Sequence, residues 1–212
     1  MNKIVALGDA EEKAKYEKIV PMLMDMKELA EKRIAIRKKQ GSIDFDFPEC
    51  KIILDEEGTP VDIKPYERNI ATRIIEEFML VTNETVAEDY FWQEQPFLYR
   101  SHETPDADKM HELSIFVSNF GLKVRTRGEN IHPMEIQKLL SDIRGRQEEN
   151  IVSRLTLRSM KRAKYTVDAE GHFGLASKYY THFTSPIRRY PDLQIHRIIK
   201  ENLHGKLNEK AR

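Results

Sequence analysis

The stretch Tyr179-Tyr180-Thr181-His182-Phe183-Thr184-Ser185-Pro186-Ile187-Arg188-Arg189-Tyr190-Pro191-Asp192-Leu193 decides how this chain is read. Ser185-Pro186 is a helix-start signal, with Ser as cap and Pro at the first helical position, where its missing N–H costs nothing. The last helix is therefore expected from near Pro186 to just before Gly205. A helix N-terminus leaves amide N–H groups unpaired and carries the positive end of the dipole, so it suits an anion. Arg188 and Arg189 fall in the expected first turn, and each guanidinium can grip a phosphate through two parallel hydrogen bonds. The Tyr and Phe side chains around them supply faces on which unstacked bases could lie. A second reading also fits: Arg188 pairs with Asp192 four residues on, and the aromatics are core. Arginines at a helix N-terminus oppose the dipole, which makes more sense if an anion sits there.

Outward from that stretch, residues 166–184 read as irregular or extended, with Gly171 and Gly174 interrupting them. Helices are expected at 133–143 and 148–162. Thr104-Pro105-Asp106-Ala107-Asp108 has a cap, a Pro at the first position and acids in the first turn, so a helix is expected from there to about Asn119, ended by Gly121. Pro96 to Arg100 reads as a short strand. The clearest helix covers 68–89, where Ile70, Ile74, Ile75, Phe78, Met79, Thr82 and Val86 share one face. Residues 43–64 read as extended, with Cys50–Leu54 and Val61–Ile63 flanking a turn-rich link, as in a hairpin. Asp9 and Glu12 form a capping-box pattern. Pro21 interrupts or restarts the first helical region, after which Met22, Met26, Leu29, Ala30 and Ile34 recur at helical spacing up to a stop at Gly41. The class expected is α+β, mixed and helix-rich, with helices around a small sheet.

The chain has 212 residues, 40% hydrophobic and 33% charged, which is a globular profile. No apolar run approaches the ~20 residues that span a bilayer, and no signal-peptide pattern opens the chain. Cys50 is the single cysteine, which rules out an intramolecular disulfide and a multi-cysteine metal site. Cytoplasmic location, no membrane and no small-molecule cofactor are expected. The net charge is zero but unevenly spread. Residues 1–120 carry 16 basic and 25 acidic side chains, a net −9, whereas residues 121–212 carry 19 and 10, a net +9. A basic half attracts a polyanion by releasing its counterions, although two oppositely charged halves can also simply pack on each other.

Other residues could carry chemistry. Glu76 and Asn83 lie seven apart on one helical stripe beside the apolar face, where a polar pair could bond a ribose hydroxyl or could be a solvated flank. Phe45 and Phe47 alternate with Asp44 and Asp46, so both rings share a sheet face, as core or as a stacking surface for a base. His102, Glu103, Asp106, Asp108, His111 and Glu112 are dense in metal-ligand types. Their spacing matches no metal motif, and a helix cap accounts for the acids. Gly-rich phosphate loops, HExxH and Gly-x-Ser-x-Gly are absent, and Ser185 has no adjacent base in sequence.

Gly171 to Arg197 resembles the ribonuclease II/ribonuclease R (RNB) family, its ribonuclease R branch most closely. Three more segments match in order: Gly41 to Phe47, Arg73 to Glu84, and Leu157 to Lys161. The resemblance implies a processive 3′→5′ exoribonuclease that threads single-stranded RNA through a channel and releases nucleoside 5′-monophosphates by Mg²⁺-assisted hydrolysis. It implies that Arg188 contacts the scissile phosphate, that Phe45 clamps the 3′-terminal bases and that Glu76 reads the ribose, with Arg189 and Tyr190 supporting the same pocket. It also implies departures. The aspartate cluster that holds Mg²⁺ in the family precedes all these segments and is missing here, as are an active-site tyrosine, a later glutamate and the flanking cold-shock and S1-type domains. Residues 1–212 are therefore expected to be the C-terminal part of one RNB catalytic domain, with no metal ligands and no nuclease activity of their own. A stand-alone RNA-binding module and a helical protein-interaction module are the competing expectations.

Overall fold

The computed structural model describes residues 1–44, 50–65, 68–125 and 131–207. They form two compact units, Met1–Ile34 with Phe45–Phe78, and Ala35–Asp44 with Met79–Arg212. The class is α+β and helix-rich, as expected, and the described strands form two two-stranded antiparallel ladders rather than one sheet.

The first unit opens with α1 (Asn2–Val5) and α2 (Ala10–Lys15). Asp9 caps α2 by accepting the Glu12 N–H at 3.0 Å, as the capping pattern requires. A 3-10 turn then leads into α3 (Val20–Gln40), so Pro21 restarts a helix at its N-terminus. Strands β1 (Cys50–Leu54) and β2 (Pro60–Pro65) form the expected hairpin, with Asp55 accepting the Glu57 and Thr59 N–H groups in the turn. α4 (Ile70–Trp92) begins at a reciprocal pair of Asn69–Thr72 bonds and passes into the second unit, as α3 does. The core of the first unit joins Ile4, Val5, Leu23, Ala30 and Ile74, with Val20, Met26, Ile70 and Phe78 against it. The apolar stripe thus differs from the one read in the sequence. Met22, Leu29 and Ile75 are exposed, because a run of apolar residues wider than one face cannot all point inward from a cylinder.

In the second unit, β3 (Tyr99–Ser101) pairs with β4 (Lys164–Thr166), and between them in sequence lie α5 (Ala107–Ser118), α6 (Pro133–Ile143) and α7 (Glu149–Ser159). α5 starts later than expected, because Asp106 rather than Thr104 is its cap and accepts the Asp108 N–H. Met110, Leu113 and Val117 of α5 and Ile136, Leu139 and Ile143 of α6 form buried stripes at helical spacing, and both helices pack on α7 through its Val152 face. At the end of α3, Gly41 has φ +95°, and a Cβ there would lie 2.8 Å from the Met134 backbone nitrogen. Only glycine combines that left-handed turn with that approach. Gln137 of α6 seals the same junction by donating to the Lys38 and Ser42 carbonyls.

The last helix, α8 (Tyr190–Leu203), corrects the sequence reading. It starts at Tyr190, with Pro191 in its first turn, and not at Pro186. Residues 186–188 are a turn ahead of it. Two prolines compete for the same role here, and Pro191 takes it. A second core gathers Ala87 and Tyr90 of α4, Phe97, Tyr99, Tyr179 and Ile195 of α8.

Candidate nucleic-acid interface

The segment 179–185 is laid down by backbone and side-chain hydrogen bonds from three directions. Tyr180 O accepts the Arg100 N–H at 2.9 Å, and Thr181 Oγ1 donates to Leu98 O at 2.7 Å, so the segment runs beside β3. From α4, Asn83 donates to the Tyr180 hydroxyl at 3.2 Å and accepts the Phe183 N–H at 3.0 Å. His196 of α8 stacks on Phe183 with centroids 4.2 Å apart and reaches its carbonyl at 3.0 Å. Tyr179, Tyr180 and Thr181 are buried, His182 and Phe183 half-buried, Ile187 and Arg188 exposed. The chain therefore rises out of the core over these residues and returns through Asp192, which is fully buried.

Asp192 decides the geometry of the turn. Its Oδ1 accepts the Ser185 N–H at 2.7 Å and Arg189 Nη2 at 2.8 Å. The ion pair that the second reading gave to Arg188 and Asp192 is thus made by Arg189 instead. With the helix starting at Tyr190, Arg188 lies outside the spacing that would have faced it to Asp192. Among the described residues no hydrogen bond or ion pair engages the Arg188 guanidinium, whereas the Arg189 side chain is only 22% exposed. Tyr190 is 65% exposed, and its hydroxyl accepts from Gln194.

The aromatic neighbours divide in the same way. Tyr179 and Tyr180 are core, not stacking faces, and Phe183 is covered on one side by His196. Burial pushes the Tyr180 hydroxyl pKa up. A row of edge-to-face rings continues inward from His182 through Tyr180 and His172 to His102. Burial first, then the positive charges of Arg189 and Arg100, bring His182 down to about 4. Burial, with His102 and Arg100 behind it, brings His172 to about 3. The Nδ1 atoms of His102 and His172 accept the Gly174 and Leu175 N–H groups, a role only an unprotonated nitrogen can fill. On the other side of His182, Tyr165 bonds its Nδ1 at 2.8 Å, and Arg100 lies over the Tyr165 ring at 4.7 Å.

Glu76 belongs to the first unit. Both of its carboxylate oxygens accept from Arg68 Nη2, at 2.8 and 2.7 Å, and its side chain is 35% exposed. It does not form a polar pair with Asn83, which is fully buried and committed to Tyr180 and Phe183. Phe45 and Phe47 lie outside the described residues. Within the His102–Glu112 group, Asp106 caps α5, and Glu103 is held down to about 2 by Lys161 and Lys164, at 2.7 and 2.5 Å. Among the described residues no three His, Cys, Asp or Glu side chains converge closely enough to hold a metal ion. No described helix is long and apolar enough to cross a membrane. Asp192 and Arg68 escaped the sequence reading as site-shaping residues. For Asp192 the one available signal was an acid three residues after an arginine at a helix start.

A family model for the RNB domain matches residues 1–205. Ribonuclease R of Aquifex aeolicus (strain VF5) is 48% identical over 208 residues, covering 96% of this chain and 29% of its own length. Among solved structures, Mycoplasma genitalium RNase R in complex with ribose methylated single-stranded RNA superposes with a TM-score of 0.85 at 31% identity, over 92% of this chain and 31% of that one. The same protein in complex with double-stranded RNA gives 0.85 at 30%, over 95% of this chain and 38% of that one. The chain belongs to the RNB domain family. Within that family it is similar to ribonuclease R, and it spans under a third of the length of the Aquifex relative.

Proposed function

We propose that this chain is the RNA-reading, C-terminal part of the catalytic domain of a 3′→5′ exoribonuclease, acting on single-stranded RNA in the cytoplasm. The observation that carries the proposal is the exposed guanidinium of Arg188, which no described residue engages, on a turn tied to the buried Asp192 within residues 121–212, whose net charge is +9. A guanidinium held there can donate two hydrogen bonds to a phosphodiester and stabilise the charge that develops as water attacks phosphorus. Tyr190, beside it, offers a ring face to a base. In this reading Glu76 accepts a ribose 2′-hydroxyl, the group that separates RNA from DNA, and Phe45 stacks on the 3′-terminal bases. Arg68 takes one lone-pair position on each Glu76 oxygen and leaves another free on each, so the pairing is compatible with that role.

The described residues do not fit a magnesium site, and no step is assigned to a metal on them. We propose that the Mg²⁺ of the parent enzyme is held by residues outside this chain, and that the chain alone binds RNA without cleaving it.

The test is a 5′-labelled single-stranded RNA offered to the folded chain with Mg²⁺, together with a salt titration of its affinity. Salt-dependent binding, weakened by Arg188→Ala and unaccompanied by shortening, is the expected result. Stepwise 3′ shortening would show that a metal is held within the chain. An affinity independent of salt, or none, would remove the RNA reading.

A further inference from the structure

We propose that Asp192 is a positioning residue and that Arg189 is the inner arm of its clamp rather than a second phosphate contact, which leaves Arg188 as the single arginine of this turn that meets RNA. The inference rests on the RNA reading above and divides between two adjacent arginines a role they were expected to share.

One atom ties both ends of the turn. Asp192 Oδ1 accepts the Ser185 N–H at 2.7 Å, where the chain leaves the core, and Arg189 Nη2 at 2.8 Å, where it returns. The Arg188 and Arg189 N–H groups close the same loop on Ser185 O, at 3.3 and 3.1 Å. With both ends fixed to one point, residues 186–188 have only the outward direction, and Ile187 and Arg188 are indeed exposed. The Asp192 side chain is 0% exposed. Its carboxylate has been taken out of water and is sustained by one amide and one guanidinium. Were Arg189 to turn outward to a phosphate, it would leave that carboxylate buried against a single backbone donor, a far less favourable arrangement than the pair. Asp192 Oδ2 is already buried without a hydrogen-bond partner among the described residues, and the one unpartnered donor beside it, Arg189 Nε, would leave with the same guanidinium, so nothing described stands ready to replace Nη2. Arg188 faces no such penalty, since it leaves no described partner behind when it binds.

The experiment is a double-mutant cycle read by the affinity of the full chain for a single-stranded oligouridylate across a salt series. Each phosphate contact on a single strand contributes roughly 0.7 to the slope of log affinity against log salt. Arg188→Ala is expected to lower the slope by about that amount and the affinity roughly tenfold or more. Asp192→Asn and Arg189→Gln are expected to weaken binding in the parent chain but to have little further effect once Arg188 is alanine, because they act through it. A merely destabilised variant would lose affinity equally in both backgrounds. A further fall in slope when Arg189→Gln is added to Arg188→Ala would overturn the proposal, since Arg189 would then itself contact phosphate. If Asp192→Asn does not fold, as judged by circular dichroism, the Arg189→Gln arm decides alone. No salt-dependent affinity in the unsubstituted chain would overturn the RNA reading and this inference with it. Slope loss on Arg188→Ala combined with additive Arg189→Gln would overturn only the inference.

Discussion

Asn83 and Phe183, 100 residues apart in the chain, are joined by a 3.0 Å hydrogen bond from the Phe183 N–H to the Asn83 side-chain oxygen. The other end of the same amide reaches the Tyr180 hydroxyl. One fully buried side chain thereby fastens the segment that leads to Arg188 onto α4.

Asn83→Leu should therefore leave the buried Tyr180 hydroxyl without its partner, at a cost of about 1–3 kcal/mol, and the half-buried Phe183 N–H without its own, at a smaller cost. Urea denaturation of the variant against the parent measures it. A change within a few tenths of a kcal/mol would mean that neither bond matters to the fold.

Gly41→Ala should destabilise the second unit by more than the ~1 kcal/mol of a left-handed alanine, because the added methyl would also press on the Met134 backbone. Gly121→Ala, with φ +72° but open space around its Cβ position, is the control. It carries the conformational strain without the collision, so it should cost less in the same melt.

Stability should fall as pH drops below the ordinary histidine range. His172 and His182 have folded-state pKa values of about 3 and about 4, against 6.5 in the unfolded chain. Between those values the unfolded state binds more protons than the folded one, so the unfolding free energy decreases as pH falls from about 6.5 toward about 3, and is insensitive to these groups above that window. Denaturation midpoints at several pH values should show this slope. His172→Asn should reduce it even if its stability at neutral pH is lower. An unchanged slope would mean that His172 is not the group titrating.

If Glu76 reads ribose, Glu76→Gln should weaken RNA binding and leave binding of the DNA oligonucleotide of the same sequence nearly unchanged. A hydrogen bond to a charged group is worth about 1.5–3 kcal/mol, or roughly 10- to 100-fold in affinity. Competition between the two oligonucleotides gives the ratio directly. Equal losses for both would make Glu76 a structural partner of Arg68 only.

The sequence by itself placed most of the helices, though not where α5 and α8 begin, because apolar spacing and caps are local. Ile70, Ile74 and Phe78 at one face of α4, Asp9 as a cap and Gly41 as a stop could be read from neighbours along the chain. The hairpin followed from its turn, and the family from ordered motifs. The tertiary structure alone decided between alternatives that were locally equal. Pro186 and Pro191 are both acceptable helix starts, and the buried carboxylate of Asp192, holding Ser185 back from the helix, fits the later one. Arg188 and Arg189 are chemically identical in sequence, and only the direction of the turn separates the exposed one from the one turned inward. Tyr180 and Tyr190 read alike as ring faces, yet one is buried beneath Asn83 and the other stands at the surface. Burial depends on what arrives from a hundred residues away, and no periodicity within a segment records that.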